Sequence, residues 1–326
     1  MAITSTSKGL VTVFGGTGFL GRHLVQALLK RGWRVRAAVR RPDLAGHLQP
    51  LGMVGWVQPI QANLRYRWSV DRAVEGSDAV VNLVAILSES GRQRFDAVQA
   101  FGARAVAEAA RGAGLKSIVH VSAIGADLKS PSAYARAKAA GEAAVLETLP
   151  QSIVFRPSIM FGPEDHFFNR FASLARVLPA FPLFGGGHTR FQPVFVGDVA
   201  QAIANAVEGK ATPGTIYELG GPEVKTFREC LEMMLAAIDR RRVLMPVPWS
   251  LATAGAWLLQ MLPNPLLTVD QVRQLKIDNV VSDAAQAEGR TFAALGIQPD
   301  SLAAILSSYL YRFRPRGEFE RHHRTA

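Results

Sequence analysis

The sequence predicts an α/β fold in which a doubly wound parallel sheet is joined to a smaller C-terminal lobe. Two observations lead to this prediction. Short apolar runs alternate with helical segments through the first half of the chain, the pattern of βαβ units. The first run, residues 10–14, leads directly into a glycine-rich turn and then into a helical segment. Strand, glycine turn and helix in this order are typical of the Rossmann fold.

Each element follows from the local pattern of apolar residues. Expected strands lie at 10–14, 33–39, 56–60, 79–84, 117–122 and 152–156, and expected helices at 19–31, 43–51, 66–75, 94–112 and 133–148. Such continuous apolar strands indicate a sheet that is covered on both faces. We expect residues 1–157 to form the first domain, with its sheet completed by segments around 190–220. Residues 158–326, where Pro/Gly-rich stretches interrupt the pattern, are expected to form the smaller lobe that faces a substrate or partner.

The glycine turn has the spacing Gly15-x-x-Gly18-x-x-Gly21. The first glycine permits a tight turn, the second lets the backbone approach a pyrophosphate, and the third lets the helix pack against the strand. The free N–H groups at the start of the helix attract a phosphate anion. We therefore predict a dinucleotide site at Gly15, Thr17, Gly18, Phe19 and Gly21.

Composition narrows the classes of partner. The single cysteine, Cys230, excludes an intramolecular disulfide and is typical of a protein in a reducing compartment. Because one cysteine cannot form a metal-binding cluster, no metal site is expected. The formal net charge is +11, which suits an anionic membrane face or an acidic protein surface. The charge comes with no zinc-finger, basic-zipper or RNA-binding signature, so a nucleic-acid partner is not expected. The first residues contain no apolar signal core, which predicts a cytoplasmic or already processed protein.

The C-terminal half contains an unusual uncharged segment, residues 243–269, which directly follows Arg240-Arg241-Arg242. Its prolines leave only residues 249–262 uninterrupted, and a membrane-spanning helix needs ~20 apolar residues. One interpretation is a core helix of the smaller lobe. The other is an apolar face that docks on a membrane surface or a membrane-bound partner, with the arginines on phosphate headgroups.

Two arginines, Arg40 and Arg41, follow the second expected strand, where NAD-binding proteins place an acidic residue. A planar guanidinium suits the 2′-phosphate of NADP(H), which favours that cofactor over NAD(H). The alternative is a solvated or partner-facing arginine pair.

Tyr134 and Lys138 stand four residues apart in the helix expected at 133–148, so they share one face. In a short-chain reductase such a tyrosine exchanges a proton with the substrate oxygen. The lysine holds the nicotinamide ribose and stabilises the phenolate. A tyrosine needs this help because its ordinary pKa is about 10.

Together with Asn82 and Arg156-Pro157-Ser158, these motifs resemble an extended or atypical short-chain dehydrogenase/reductase over residues 10 to about 230. Further runs resemble the accessory nucleotide-binding subunit of respiratory complex I and its bacterial homologues. These runs are 120–122, 130–134, 161–172, 192–199, 266–272 and the basic C-terminal tail.

The resemblance implies an NADPH in the first lobe, with Asn63, Asn82, Tyr134, Lys138 and Pro157 joining the cofactor site. Its partners would be complex I subunits or another membrane-bound protein, and residues 240–269 would meet the membrane surface. The implied location is peripheral, on the cytoplasmic face of a bacterial inner membrane or the matrix side in a mitochondrion.

The chain also departs from active family members, which usually have two serines at the end of the fifth strand. Here the pair is Ser122-Ala123, and loss of one oxyanion donor can slow a reaction by roughly a hundredfold. We therefore favour an accessory or assembly protein that holds NADPH structurally or as a redox sensor. The alternative is an active NADP-dependent reductase, with Tyr134 and Lys138 catalytic, acting on a quinone precursor or sterol-like ketone. A third possibility is an NADPH-sensing regulator without chemistry.

Overall fold

A computed structural model describes residues 7–261, 267–315 and 317. The backbone divides into two compact units. The first holds the chain up to Pro157 together with Val196–Leu219 and Ser282–Gln298. The second holds Ser158–Phe195, Gly220–Val281 and the chain from Pro299. Part of the uncharged segment, residues 262–266, and the basic tail from 318 onwards lie outside the described residues.

The strands and helices are numbered along the chain. The strands are β1 (Leu10–Phe14), β2 (Arg34–Val39), β3 (Val57–Gln61), β4 (Ala79–Asn82), β5 (Val119–Val121), β6 (Ile153–Pro157), β7 (Met160–Phe161), β8 (Ala180–Phe184), β9 (Arg190–Phe191), β10 (Val194–Phe195), β11 (Ile216–Leu219), β12 (Lys225–Thr226) and β13 (Val243–Val247). The helices are α1 (Phe19–Lys30), α2 (Arg67–Val74), α3 (Phe101–Gly112), α4 (Ala133–Thr148), α5 (Phe168–Leu174), α6 (Val196–Val207), α7 (Phe227–Ala237), α8 (Trp249–Leu259), α9 (Val269–Gln274), α10 (Asp283–Ala287) and α11 (Leu302–Leu310).

Seven strands of the first unit form one sheet in the order β11-β6-β5-β4-β1-β2-β3. All of its strand pairs are parallel. The order outward from β1 reverses between β1 and β4, the switch point at which a doubly wound sheet binds its ligand. The predicted α/β class is thereby confirmed.

One expected helix is wrong. The stretch predicted as a helix at 43–51 forms two short 3₁₀ turns, Pro42–Leu44 and Gly46–Leu51. Pro50 has no backbone N–H to donate and Gly46 disfavours a helical backbone, so a continuous α-helix is not stable here. The turns bury Ala45 and Leu48 while the rest of the segment stays largely exposed.

Small residues bring α4 close to the segment before α3. A single π-helical turn, Asp96–Ala100, precedes α3, and a Cβ at Gly141 would lie 2.4 Å from the carbonyl oxygen of Gln99. A side chain at Gly141 would therefore force the two helices apart. This close packing fixes the position of α4, which carries Tyr134 and Lys138.

The second unit is built around phenylalanines and three small two-stranded sheets. Phe161, Phe168 and Phe181 are completely buried in its core, and the ring of Phe227 stacks on that of Phe184. Within the described residues, no helix is both long and apolar enough to cross a membrane.

Candidate functional site

The chain turns sharply where β1 ends. Gly15 has a φ of +82°, which glycine alone adopts without strain, and its N–H donates to the Ala38 carbonyl of β2 at 3.2 Å. The Gly18 N–H then donates to the Gly15 carbonyl at 3.0 Å and closes the turn. The first helical bond of α1 follows from the Arg22 N–H to the Gly18 carbonyl, at 3.1 Å.

Gly21 is sterically required. A Cβ at this position would lie 2.2 Å from the Gly15 carbonyl oxygen and 2.7 Å from the Gly16 carbonyl carbon. Both contacts are with backbone, which cannot move aside without opening the turn. The helix therefore starts directly against the glycine turn because residue 21 has no side chain.

The start of α1 is open to a ligand. Gly18 is the N-cap residue and is exposed, and Thr17 and Phe19 are half-buried. Among the described residues, no side chain caps this helix end. The N–H groups of the first turn and the helix dipole thus remain available for an anion.

The two arginines after β2 differ in their contacts. Arg41 Nη2 lies 2.7 Å from the Asp43 carboxylate, whereas Arg40 is exposed and forms no hydrogen bond or ion pair within the part of the chain that the structure describes. Arg40 therefore has its guanidinium free for an external phosphate, while the charge of Arg41 already has a partner.

Asn63 and Asn82 organise the turns that follow their strands. Asn63 Oδ1 accepts from the Arg65 N–H at 3.2 Å, two residues after β3. Asn82 is the last residue of β4, is buried, and its Oδ1 accepts from the Val84 N–H at 3.1 Å. Each amide thus shapes the backbone at the carboxyl end of the sheet.

His120 lies in the core beside Asn82. Its Nδ1 is 3.3 Å from Asn82 Nδ2, and burial, with a smaller contribution from the charge of Lys138, lowers its pKa to about 3. The imidazole is therefore neutral at physiological pH, with Nδ1 as the acceptor for the Asn82 amide.

Lys138 is buried, and its ammonium group donates to the Val121 carbonyl at 2.9 Å. This contact ties α4 to the end of β5. Burial lowers the pKa of Lys138 to about 8, and the nearby Glu142 carboxylate only partly offsets this. The amine is therefore still mostly protonated at pH 7 and loses its proton around pH 8.

Tyr134 occupies the same face of α4 one turn earlier. Its ring meets that of Phe95 edge-on, with centroids 5.8 Å apart. Burial raises the pKa of Tyr134 to about 12. The phenol is therefore protonated at neutral pH in the structure described here.

Ser122 and Ala123 follow β5. The Ser122 hydroxyl is buried and has no hydrogen-bond partner within the described residues. Ala123 is half-buried and carries no hydroxyl, and the next residue, Ile124, donates its N–H to the Pro157 carbonyl at 3.1 Å. The loop after β5 is thereby joined to the end of β6 through Pro157.

The sequence-predicted residues therefore lie along one edge of the sheet. They occupy or follow the carboxyl ends of β3, β2, β1, β4, β5 and β6, or lie on α4. Sequence reasoning missed the Val121 carbonyl, because no side-chain pattern reveals a backbone acceptor. It also missed Phe95, whose role depends on the π-helical turn beside it. No cluster of metal-ligating side chains occurs in the ranges that the structure describes.

Comparison with known proteins agrees with this architecture. The profile of the NAD dependent epimerase/dehydratase family matches residues 11–220. The chain is 36% identical to the mitochondrial NADH dehydrogenase [ubiquinone] 1 alpha subcomplex subunit 9 of Arabidopsis thaliana, covering 96% of this chain and 80% of that protein. It is 32% identical to the mitochondrial NADH-ubiquinone oxidoreductase 40 kDa subunit of Neurospora crassa, covering 95% and 80%.

A solved structure shares the fold. The NADPH-dependent quinone oxidoreductase QOR2 of Escherichia coli, complexed with NADPH, superposes with a TM-score of 0.71 at 20% identity, covering 91% of this chain and 99% of that one. The resemblance seen in the sequence motifs is thus confirmed at the level of both sequence and fold.

Proposed function

The chain belongs to the NAD dependent epimerase/dehydratase family, and we propose that it is an accessory or assembly protein of an NADH:ubiquinone oxidoreductase that holds NADPH. The observation that carries this proposal is the extent of the likeness to the Arabidopsis subunit. It covers 96% of the chain and therefore includes the second unit as well as the glycine turn.

The residues present fit a nicotinamide dinucleotide. Gly15 and Gly18 present backbone without side chains, and Gly21 lets the uncapped start of α1 come close to the turn. These residues would hold the pyrophosphate, with Thr17 and Phe19 beside it. Asn63 would border the adenine, and Asn82 and Pro157 would shape the wall toward the nicotinamide.

NADP(H) is favoured over NAD(H) by the contrast between Arg40 and Arg41. A 2′-phosphate beside β2 would pair with Arg40, since Arg41 is held by Asp43. No acidic side chain occupies residues 40 or 41 to accept a ribose hydroxyl.

When bound, NADPH supplies a hydride. Whether that hydride can be transferred to a substrate depends on the chain's own residues around the nicotinamide. Lys138 would hold the nicotinamide ribose after exchanging its bond to the Val121 carbonyl for one to the cofactor. Tyr134 would stand next to it with its proton in place. Ala123 provides no hydroxyl for a substrate oxygen.

The alternative is an active NADP-dependent reductase of a hydrophobic ketone or quinone precursor. The shared face of Tyr134 and Lys138 on α4 favours it. The tyrosine pKa of about 12 and the missing hydroxyl at residue 123 weigh against it. An accessory role in which the nucleotide is structural or senses redox state requires neither proton transfer nor an oxyanion donor.

Under the same proposal, the protein lies peripherally at the inner face of a bacterial inner membrane, or at the matrix side in a mitochondrion. Its partners are complex I subunits. The basic net charge of +11 and residues 240–269 support a contact with a membrane or a membrane-bound complex.

The test is co-migration of the native protein with complex I on blue-native gels after gentle solubilisation, compared between wild type and Gly21→Ala. We expect the wild-type chain to run with the complex and to carry NADPH that acid extraction releases. A wild-type chain that never runs with the complex and stays in the supernatant after gentle lysis would falsify the proposal.

A further inference from the structure

We propose that the second unit carries a binding site for a small phosphate monoester that also bears hydroxyl groups, which is the chemistry of a sugar phosphate. The site is a groove beside the end of α7 and the start of β13, which we call the arginine groove. Six charged residues line it: Arg228, Glu232, Asp239, Arg240, Arg241 and Arg242. All of them belong to the second unit. This site goes beyond the proposed function and does not depend on it.

The arginine groove is more cationic than its own carboxylates can neutralise. It has a volume of about 540 Å³, and four arginines face two carboxylates, which leaves a net charge of +2. Arg228 Nη1 lies 3.7 Å from the Glu232 carboxylate, and the other three arginines form no salt bridge within the described part of the chain. The C-terminal dipole of α7 offsets only about half a charge. The remaining positive charge matches a phosphate monoester, which carries about −1.5 to −2 at pH 7.

Backbone carbonyls hold two of these arginines in place without neutralising them. Arg240 Nε donates to the Phe313 carbonyl at 3.0 Å. Arg242 Nε likewise donates to the Ala175 carbonyl at 2.9 Å, and a guanidinium with five N–H donors keeps several for an anion. Arg241 between them is exposed, and its side chain forms no hydrogen bond in the ranges that the structure describes. Guanidiniums whose positions are fixed in advance lose less entropy when they bind a phosphate.

Asp239 brings a carboxylate into the groove through an unfavourable backbone conformation. It follows the C-cap of α7 with a φ of +52°, and among the described residues only glycines otherwise have a positive φ. Glycine would adopt this conformation without steric cost. The Asp239 side chain is exposed and has no ion pair or hydrogen bond to another described residue. A strained residue that makes no internal contact points to a functional side chain, and a carboxylate accepts hydrogen bonds from ligand hydroxyls.

A hydroxylated phosphate monoester satisfies the arginines and the carboxylates together. Its phosphate pairs with the guanidiniums, and its hydroxyls donate to Glu232 and Asp239. Leu235 and Leu244 also line the groove and offer an apolar surface for the C–H face of a sugar ring. An acidic protein segment would bring further carboxylates against Glu232 and Asp239. A lipid phosphodiester carries a single negative charge and would leave the groove with excess positive charge.

The experiment is calorimetric titration of the purified full chain with saturating NADPH present, which occupies the proposed cofactor site. The probes are glucose 6-phosphate, inorganic phosphate and glucose. We expect glucose 6-phosphate to bind about tenfold more tightly than inorganic phosphate, because only it carries sugar hydroxyls for the carboxylates. Glucose alone should not bind, and high salt should weaken the binding of both phosphates.

Arg241→Gln tests the cationic part of the groove. Loss of charge-assisted hydrogen bonds should weaken the binding of both phosphates about tenfold or more. Arg241→Lys keeps the charge but not the planar fork, so its affinity should lie between those of Arg241→Gln and wild type. Arg72→Gln is the matched control and should bind as wild type does, because Arg72 of α2 is also exposed and lies in the first unit.

Asp239→Gly separates a ligand contact from a purely structural role. The melting temperature should rise, because glycine relieves the positive φ. Glucose 6-phosphate should bind about fivefold more weakly, whereas inorganic phosphate should bind at least as tightly as before, because a negative charge has been removed. Equal affinity of wild type and Asp239→Gly for glucose 6-phosphate would overturn the hydroxylated ligand.

Two outcomes would overturn the site as a whole, and circular dichroism verifies that each variant is folded. If Arg40→Ala loses glucose 6-phosphate while Arg241→Gln retains it, the phosphate binds at the glycine turn instead. If the wild-type chain binds neither soluble phosphate, the site is absent, and Arg241-dependent retention on phosphatidylglycerol vesicles would then assign the groove to lipid phosphates. Neither result changes co-migration with complex I, which tests the accessory role separately.

Discussion

The phosphate end and the nicotinamide end of the candidate site are built differently. At the phosphate end, Gly15, Gly18 and Gly21 form a turn whose shape is set by backbone contacts, with no room for a Cβ at residue 21. At the nicotinamide end, Lys138 is held by the Val121 carbonyl, and the half-buried Tyr134 has a pKa of about 12.

This difference means that nucleotide binding would depend mainly on the phosphate end, whereas catalysis would depend on the nicotinamide end. At the proposed phosphate end, the backbone contacts of the glycine turn set its shape. At the nicotinamide end, Lys138 would have to give up its hydrogen bond to the Val121 carbonyl before it could bind a cofactor. Residue 123 has no hydroxyl. A site arranged in this way favours retention of the nucleotide over turnover.

The largest effect is expected at the phosphate end, from Gly21→Ala. The added Cβ would meet the Gly15 carbonyl, so we expect a loss of about 3 kcal/mol in the free energy of unfolding, together with loss of NADPH binding. Urea denaturation and fluorescence titration measure the two effects. Gly46→Ala is the control, because a Cβ there meets nothing within 4 Å. Equal stability of the two variants would show that the turn tolerates a side chain.

The pH dependence of stability tests the nicotinamide end. Lys138 has a pKa of about 8 in the folded chain against an ordinary 10.5, so the unfolded chain binds more protons between these values. Stability should therefore rise with pH across this window, by about 3 kcal/mol relative to Lys138→Met. Urea denaturation at several pH values gives the difference, with the exposed Lys129→Met as control. A parallel pH profile for wild type and Lys138→Met would contradict a buried, destabilised ammonium group.

Arg40→Ala tests whether the phosphate end prefers NADPH over NADH. Loss of a charge-assisted bond to the 2′-phosphate should weaken NADPH binding about 10- to 100-fold and leave NADH binding unchanged. Calorimetric titration with both nucleotides measures this. Arg41→Ala should have a smaller effect, since Arg41 is paired with Asp43. An equal loss for NADPH and NADH would exclude Arg40 as the source of selectivity.

The smallest effect is expected from Tyr134→Phe. The ring can keep its contact with Phe95, and the accessory role needs no proton transfer, so NADPH affinity and co-migration with complex I should stay within about twofold of wild type. Ala123→Ser should likewise create no NADPH oxidation with a quinone acceptor. If Tyr134→Phe instead abolishes respiration-dependent growth while nucleotide binding persists, the reductase alternative is the correct one.

Much of the fold could be predicted because it depends on local patterns. The apolar runs became β1 to β6 within about two residues at each end, as expected for elements with strong periodicity. The segment at 43–51 did not follow, since Pro50 and Gly46 outweigh its apolar residues. The sequence shows Arg240-Arg241-Arg242 as a triplet, and only the structure places Arg228 of α7 beside them, in one groove.

The sequence by itself determined the parallel sheet, the glycine turn and the arginines after β2, because glycine spacing and apolar periodicity act over a few neighbouring residues. Only the tertiary structure decided how those groups are used. It tied Lys138 to the Val121 carbonyl, paired Arg41 but not Arg40, and turned one face of α8 outward. The lysine contact and the outward face of α8 depend on burial and on contacts that no local pattern records, whereas the Arg41–Asp43 pair joins side chains two residues apart in the turn after β2.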